Sequence, residues 1–173
     1  MNYPPWFCGK KRDKFAGLPL QRCSDCFLRF PLSLFPSCRE LKPTIVETAP
    51  IAGQKPGTSG LRKKTKEFMG ENYLENFVQS AFNAIKDSGT IVSEGTLLIG
   101  GDGRYFNPEA IQTIIKIGVA NGVKRFWVGE NGLMSTPAVS ATIREKGPIW
   151  QKAFGAFILT ASHNPGGPEE DFG

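Results

Sequence analysis

The chain has 173 residues, 40% of them hydrophobic, and a formal net charge of +5. That is enough for one domain with a real core, ordinary for a soluble globular protein, and no apolar run approaches the length of a membrane span. All the excess charge lies in residues 1–39, with seven Lys/Arg against two Asp/Glu, whereas residues 40–173 carry fourteen of each, which excludes a global basic footprint for nucleic acid.

Residues 1–43 are unlike the rest of the chain. Pro4, Pro5, Pro19, Pro31, Pro36 and Pro43 prevent any long helix. Cys8, Cys23, Cys26 and Cys38 are all here. Cys23-x-x-Cys26 has the spacing of half a zinc site, but the other two cysteines fall at irregular distances and no histidine is near. The stretch reads either as a transit-like leader or as a disordered tail, ahead of a domain over 44–173.

Thr44-Ile45-Val46 predicts a short first strand. Residues 50–60 form a loop rich in Gly and Pro, and 61–68 read as a second strand. Tyr73, Leu74, Phe77, Val78, Ala81, Phe82 and Ile85 recur on one helical face, with Ser88-Gly89 as the stop. Thr96–Ile99 is a buried strand by composition. Asn107-Pro108-Glu109 predicts a helix start with Asn107 as cap. Ile111, Ile114, Ile115 and Val119 mark its buried face, and Asn121-Gly122 ends it. Arg125–Val128 is a further strand, Thr136-Pro137 opens a helix running to about Lys146-Gly147, and Ala156–Leu159 is the last strand. Strands alternating with helices predict an α/β fold with a mostly parallel, mixed sheet and helices on both faces.

The last strand runs into Thr160-Ala161-Ser162-His163-Asn164-Pro165-Gly166-Gly167. Asn-Pro and Gly-Gly are turn signals, so Ser162 stands where a buried strand opens into a tight loop. His163 is the only histidine in the chain. A hydrolase reading is weak: neighbours on an extended segment point apart, there is no second histidine to recruit, and the Gly-x-Ser-x-Gly elbow is absent. A serine that carries a phosphoryl group fits better. Thr58-Ser59-Gly60-Leu61-Arg62 offers two hydroxyls, a flexible backbone and a guanidinium, a set suited to phosphate without being a P-loop. Gly101-Asp102-Gly103-Arg104 is a poor dinucleotide turn, because Phe106 takes the third glycine position and Asp102 repels a pyrophosphate. Lys63, Lys64 and Lys66 read as a solvated basic face, and Glu169, Glu170 and Asp171 as solvated acids rather than a metal cluster.

Read whole, the octapeptide at 160–167 resembles the phosphoserine loop of the α-D-phosphohexomutases, and among them the phosphoglucomutases. The likeness extends through Pro168-Glu169-Glu170-Asp171-Phe172-Gly173, and covers about residues 44–173. Gln54–Lys64, Gly100–Asn107 and Ser135–Ser140 agree in the same order.

The resemblance implies the first domain of such an enzyme, truncated at its C-terminus. It implies interconversion of glucose 1-phosphate and glucose 6-phosphate through a phosphoserine at Ser162, with glucose 1,6-bisphosphate as intermediate and activator. His163 would contact the substrate or the transferring phosphate. Arg62, with Thr58 and Ser59, would lie at the mouth on the sugar phosphate, and the Gly101–Arg104 turn would support the serine loop. Mg²⁺ would be held by aspartates of a later domain together with the Ser162 phosphate. The implied partner is a sugar phosphate, not a nucleic acid or a membrane, with oligomeric state unspecified, and the implied compartment is cytoplasm or plastid. With the metal site and sugar-selecting loop in later domains, the 173-residue chain is expected to lack turnover alone; the alternative is a non-catalytic fragment used for binding.

Overall fold

The computed structural model describes residues 42–145 and 153–173. The predicted leader lies outside the described residues except for Lys42 and Pro43. In chain order the elements are β1 (Lys63–Lys64), α1 (Thr65–Phe68), α2 (Tyr73–Asp87), β2 (Thr96–Gly101), α3 (Asn107–Ala120), β3 (Phe126–Leu133), α4 (Thr136–Arg144), β4 (Ala153–Leu159) and β5 (Asp171–Phe172).

β2 is buried at all six positions, and this is why it is the central strand. It pairs in parallel with β3 on one side and β4 on the other, giving the order β3-β2-β4. A strand covered on both faces reads as a continuous apolar run, and side-chain alternation then divides the core. Leu97 and Ile99 pack with Leu74, Val78 and Phe82 of α2 and Ala110, Ile111 and Ile114 of α3. Leu98 packs the other way, against Val139 of α4. Fully burying one such leucine stabilises the fold by about 2 kcal/mol. The α/β class, the parallel sheet and the helices on both faces are therefore as the sequence predicts. The antiparallel pairing is separate, in a two-stranded ribbon of β1 and β5 with Lys63 opposite Phe172.

Two predicted strands are corrected. Residues 44–46 have no sheet partner, and Ile45 and Val46 are 85% and 62% exposed; β-branched residues favour a strand only where a neighbour exists to pack on. Over 61–68 only Lys63 and Lys64 are strand. The ribbon ends at Thr65, whose N–H donates to the Glu170 carbonyl and whose hydroxyl donates to the carbonyls of Gly167 and Glu170. The short α1 that comes next is held by tertiary packing, with Phe68 edge-on to both Tyr73 and Phe172.

The helices begin and end close to expectation, with differences in detail. α4 stops at Arg144, and Glu145 is already extended. Asn107 does not cap α3: it is the first helical residue, and its buried amide has no partner among the described residues. The buried face of α3 is turned away from Val119, which is 50% exposed, because the Phe126 ring fills the space beside Gly118, where a Cβ would lie 2.8 Å from it.

Candidate active site

β4 delivers the chain to Thr160 at the carboxyl end of the sheet, and the loop beyond it is shaped by one side chain from the end of β2. Arg104 is buried, and all five of its N–H donors are used. Nε bonds Asp102 Oδ2 at 3.0 Å. Nη1 donates to the Pro165 carbonyl at 3.1 Å and the Asp171 carbonyl at 2.9 Å. Nη2 donates to the carbonyls of Ser162 and Asn164, each at 2.9 Å. A planar guanidinium offers this fork without losing the freedom a lysine would lose. The same Asp102 oxygen accepts from the Thr160 hydroxyl at 2.7 Å, and Thr160 Oγ1 accepts from the Ser162 N–H at 3.0 Å.

Ser162 sits on this frame at φ 60, a left-handed backbone that non-glycine residues rarely adopt. Its side chain is exposed. The left-handed turn also corrects one expectation. Adjacent side chains diverge on extended backbone, but here Ser162 Oγ and His163 Nδ1 come within 3.4 Å. That is long for a hydroxyl hydrogen bond, and among the described residues no carboxylate bonds the imidazole. The arrangement is not a hydrolytic triad, which needs the histidine oriented by a third group.

The far side of the loop is tied to the β1–β5 ribbon. Asn164 Nδ2 donates to Asp171 Oδ2 at 2.7 Å, and Lys64 Nζ lies 2.8 Å from Asp171 Oδ1. Donation from Lys64, and then from Asn164, holds the Asp171 carboxyl below its usual range; the same bond to Asp171 raises Lys64. Lys64 also approaches Glu170 at 3.9 Å, Lys66 pairs with Glu169 at 2.6 Å and Lys63 with Glu67 at 3.8 Å. The lysines and acids predicted as two solvated faces thus face each other, which leaves neither a free basic patch nor a free acid cluster there.

The Thr58-Ser59 pair forms the exposed apex of a tight turn, with Gly57 N–H to Gly60 O at 2.8 Å and Gly60 N–H to Gly57 O at 3.2 Å. Ser59 and Arg62 line a cavity of about 320 Å³ together with Thr160, over an apolar floor that includes Phe77, Phe157 and Phe172. Gly173 lies between the two sides, since its carbonyl accepts from Thr160 N–H at 2.8 Å and an added Cβ would lie 2.8 Å from Arg62 Cγ. The structure therefore brings Ser59 and Arg62 to one rim two residues from Ser162. Thr58 is at the turn apex and does not line the cavity, and no hydrogen bond joins Ser162 to Arg62.

Arg104 and Asp102 are the site residues missing from the sequence-based set. The signal for them was the Gly-Asp-Gly-Arg turn at the end of a buried strand, whose supporting role the structure realises through these two side chains.

A profile of the family described as phosphoglucomutase/phosphomannomutase, alpha/beta/alpha domain I, matches residues 53–170. "Probable phosphoglucomutase, cytoplasmic 2" of Arabidopsis thaliana is 63% identical over 133 residues, covering 76% of this chain and 22% of that protein. "Phosphoglucomutase, cytoplasmic" of Solanum tuberosum is 62% identical over 129 residues, 74% of this chain and 22% of the relative. The open-form crystal structure of the exocytosis-sensitive phosphoprotein pp63/parafusin, a phosphoglucomutase from Paramecium, matches with a TM-score of 0.67 at 54% identity, covering 73% of this chain and 22% of that one.

Proposed function

The chain belongs to the phosphoglucomutase/phosphomannomutase family through its α/β/α domain I, and from that premise we propose that it supplies the phosphoserine loop of a phosphoglucomutase, an isomerase of glucose phosphates. It spans about a fifth of the length of the curated relatives it matches, 22%, so the reaction is that of a longer protein to which this chain contributes one part of the site. In this reading phosphorylated Ser162 gives its phosphoryl group to a free hydroxyl of glucose 1-phosphate or glucose 6-phosphate. The P–Oγ bond breaks and a P–O bond to the sugar forms. The hydroxyl proton passes to a base that the family resemblance places beyond Gly173, and the freed Ser162 Oγ takes up a proton to become the hydroxyl. Glucose 1,6-bisphosphate then reorients and returns its other phosphoryl group to Ser162.

The observation that carries this reading is an exposed serine hydroxyl at φ 60 on a loop whose carbonyls converge on one buried guanidinium. Phosphoryl transfer depends on positioning and charge neutralisation, and a loop fixed at its backbone supplies the first. His163, 3.4 Å from Ser162 Oγ, is assigned to the transferring phosphate or the substrate. Arg62, with Ser59 on the same rim and Thr58 at the turn apex, is assigned to the sugar phosphate.

When bound, Mg²⁺ neutralises and polarises the serine phosphate. The donor this chain offers is the Ser162 phosphate oxygen. Among the described residues no group of three or more His, Cys, Asp or Glu is arranged to hold an ion, and Glu169, Glu170 and Asp171 are engaged by lysines. The remaining ligands are assigned to residues outside this set, the aspartates of a later domain that the family resemblance implies.

A cytoplasmic location is the reading favoured by the names of the relatives, and no helix among the described residues is long and apolar enough to cross a membrane. A fluorescent fusion found in plastids would overturn that location. The functional reading is tested by incubating the chain with glucose 1,6-bisphosphate and a full-length relative, followed by phosphopeptide mass spectrometry. Phosphate on Ser162 is expected; phosphate elsewhere with Ser162 unmodified rejects the assignment.

A further inference from the structure

We propose that Asn131 is a site of spontaneous deamidation, and that its isoaspartyl product loosens the turn that supports the serine loop. The sequence contains two Asn-Gly pairs, 121–122 and 131–132. Glycine after asparagine leaves the following amide nitrogen unhindered. That nitrogen attacks the Asn Cγ, the new C–N bond closes a succinimide, and the side-chain nitrogen leaves as ammonia. Water then opens the ring at either carbonyl, yielding aspartate or isoaspartate. Water is the only co-reactant.

The two pairs stand in opposite surroundings. Asn121 is held through both side-chain atoms. Its Oδ1 accepts from Lys86 Nζ at 2.8 Å and Gln79 Nε2 at 3.2 Å, and its Nδ2 donates to Gln79 Oε1 and to the Ile117 carbonyl, each at 2.8 Å. Asn131 is exposed, and its amide makes no hydrogen bond among the described residues. Its backbone also lies in a bulge of β3. The ladder to β2 runs from Val128 opposite Ile99 straight to Leu133 opposite Gly101, so residues 129–132 have no partner in the register. Asn131 and Gly132 both have positive φ, 54° and 77°, the signs required at the centre of a type I′ turn. Ring closure needs this pair to swing out of its left-handed geometry, and a bulge outside the register opens at lower free energy than paired strand.

Asp102-Gly103 can form the same ring, but its carboxylate is held by Arg104 and Thr160. Asn107 and Asn164 precede prolines, which have no N–H to attack with.

The coupling arises from what the 131–132 turn touches. Isoaspartate adds a methylene to the main chain. Gly132 is packed against Ile111, and Leu133 lies over Gly103, where a Cβ would come within 2.7 Å of Leu133 Cδ2. Met134 N–H donates to the Gly101 carbonyl at 3.0 Å. A longer backbone at 131 therefore displaces Leu133 and Met134 against the Gly101–Arg104 turn.

The test is peptide mapping of the full 173-residue chain held in warm, mildly alkaline buffer. The Asn131 peptide should split into aspartyl and isoaspartyl forms roughly tenfold or more faster than the Asn121 peptide converts. In urea the two rates should converge, which attributes the native difference to structure. Native Asn131 converting no faster than Asn121 would overturn the site. Amide exchange on isoaspartyl-enriched protein should quicken at Gly101–Arg104, and unchanged exchange there would overturn the coupling.

Discussion

The Arg104 Nη2 to Ser162 carbonyl hydrogen bond, 2.9 Å long, joins a buried charge at the end of β2 to the backbone of the serine loop fifty-eight positions later in the chain. It is one of five bonds from a single side chain, so the loop's shape depends on that side chain more than on any other. Arg104→Ala is expected to cost about 3 kcal/mol, since it removes five bonds and leaves the carbonyls of Ser162, Asn164 and Asp171 without that donor. Arg104→Lys should recover less than half of that, because an ammonium has three donors and no fork. Urea unfolding of the three proteins measures both, and a loss under about 0.5 kcal/mol for the alanine variant would show that the loop holds itself.

Ser162 gives a second expectation, through its backbone. A left-handed φ costs an L-residue roughly 1 kcal/mol, and glycine is free of that cost. Ser162→Gly should therefore be more stable than Ser162→Ala by about 1 kcal/mol, although both remove the hydroxyl and with it any phosphate. Thermal unfolding ranks the two; alanine equal to or above glycine would contradict the strained geometry.

Two sheet glycines should respond oppositely to alanine. At Gly101 a Cβ would collide with the Leu159 backbone, so β2 and β4 must separate to admit it. A loss of about 2–3 kcal/mol is expected for Gly101→Ala, in the range of overpacked cores. At Gly155 nothing lies within 4 Å of the added Cβ. Gly155→Ala should change stability by no more than about 0.5 kcal/mol. Denaturant midpoints of the two variants test the contrast.

The Lys64–Asp171 pair makes stability depend on pH at both extremes. The folded carboxyl of Asp171 is lowered, so its contribution is present above the unfolded value of about 3.9 and is lost as pH falls through the lower folded value. Lys64 is raised, so its contribution is full below about 10.4 and is lost as pH rises through the higher folded value. Asp171→Asn should flatten both limbs of a urea-midpoint profile, whereas a profile identical to the parent chain's would mean that the pair is fully screened.

What was legible in the sequence was whatever local pattern decides alone. The apolar run at 96–99, the helical face from Tyr73 to Ile85 and the turn signals after Leu159 all correspond to observed elements, because burial on both faces, amphipathic period and Asn-Pro are short-range facts. What was illegible depended on partners distant in sequence. Ile45 and Val46 carry the composition of a strand but have no neighbour. Thr65 leaves the strand because its hydroxyl meets carbonyls more than a hundred positions away. The Gly101–Arg104 turn marks a supporting loop, but which of its side chains does the work does not show locally, since the carbonyls Arg104 gathers lie at 162, 164, 165 and 171.

The direction of those carbonyls has an electrostatic effect on the outside of the loop. In a planar trans peptide the N–H points opposite to the C=O. Two of the carbonyls drawn to Arg104, those of Ser162 and Pro165, belong to peptide units whose N–H groups are on His163 and Gly166. Neither N–H has an acceptor among the described residues, and both residues are exposed. The guanidinium gathers the negative ends of these peptide dipoles inside the loop and leaves their positive ends facing outward on either side of Asn164. Peptide N–H groups carry the positive end of that dipole, so an arginine that never reaches the surface sets the sign of the potential beside Ser162.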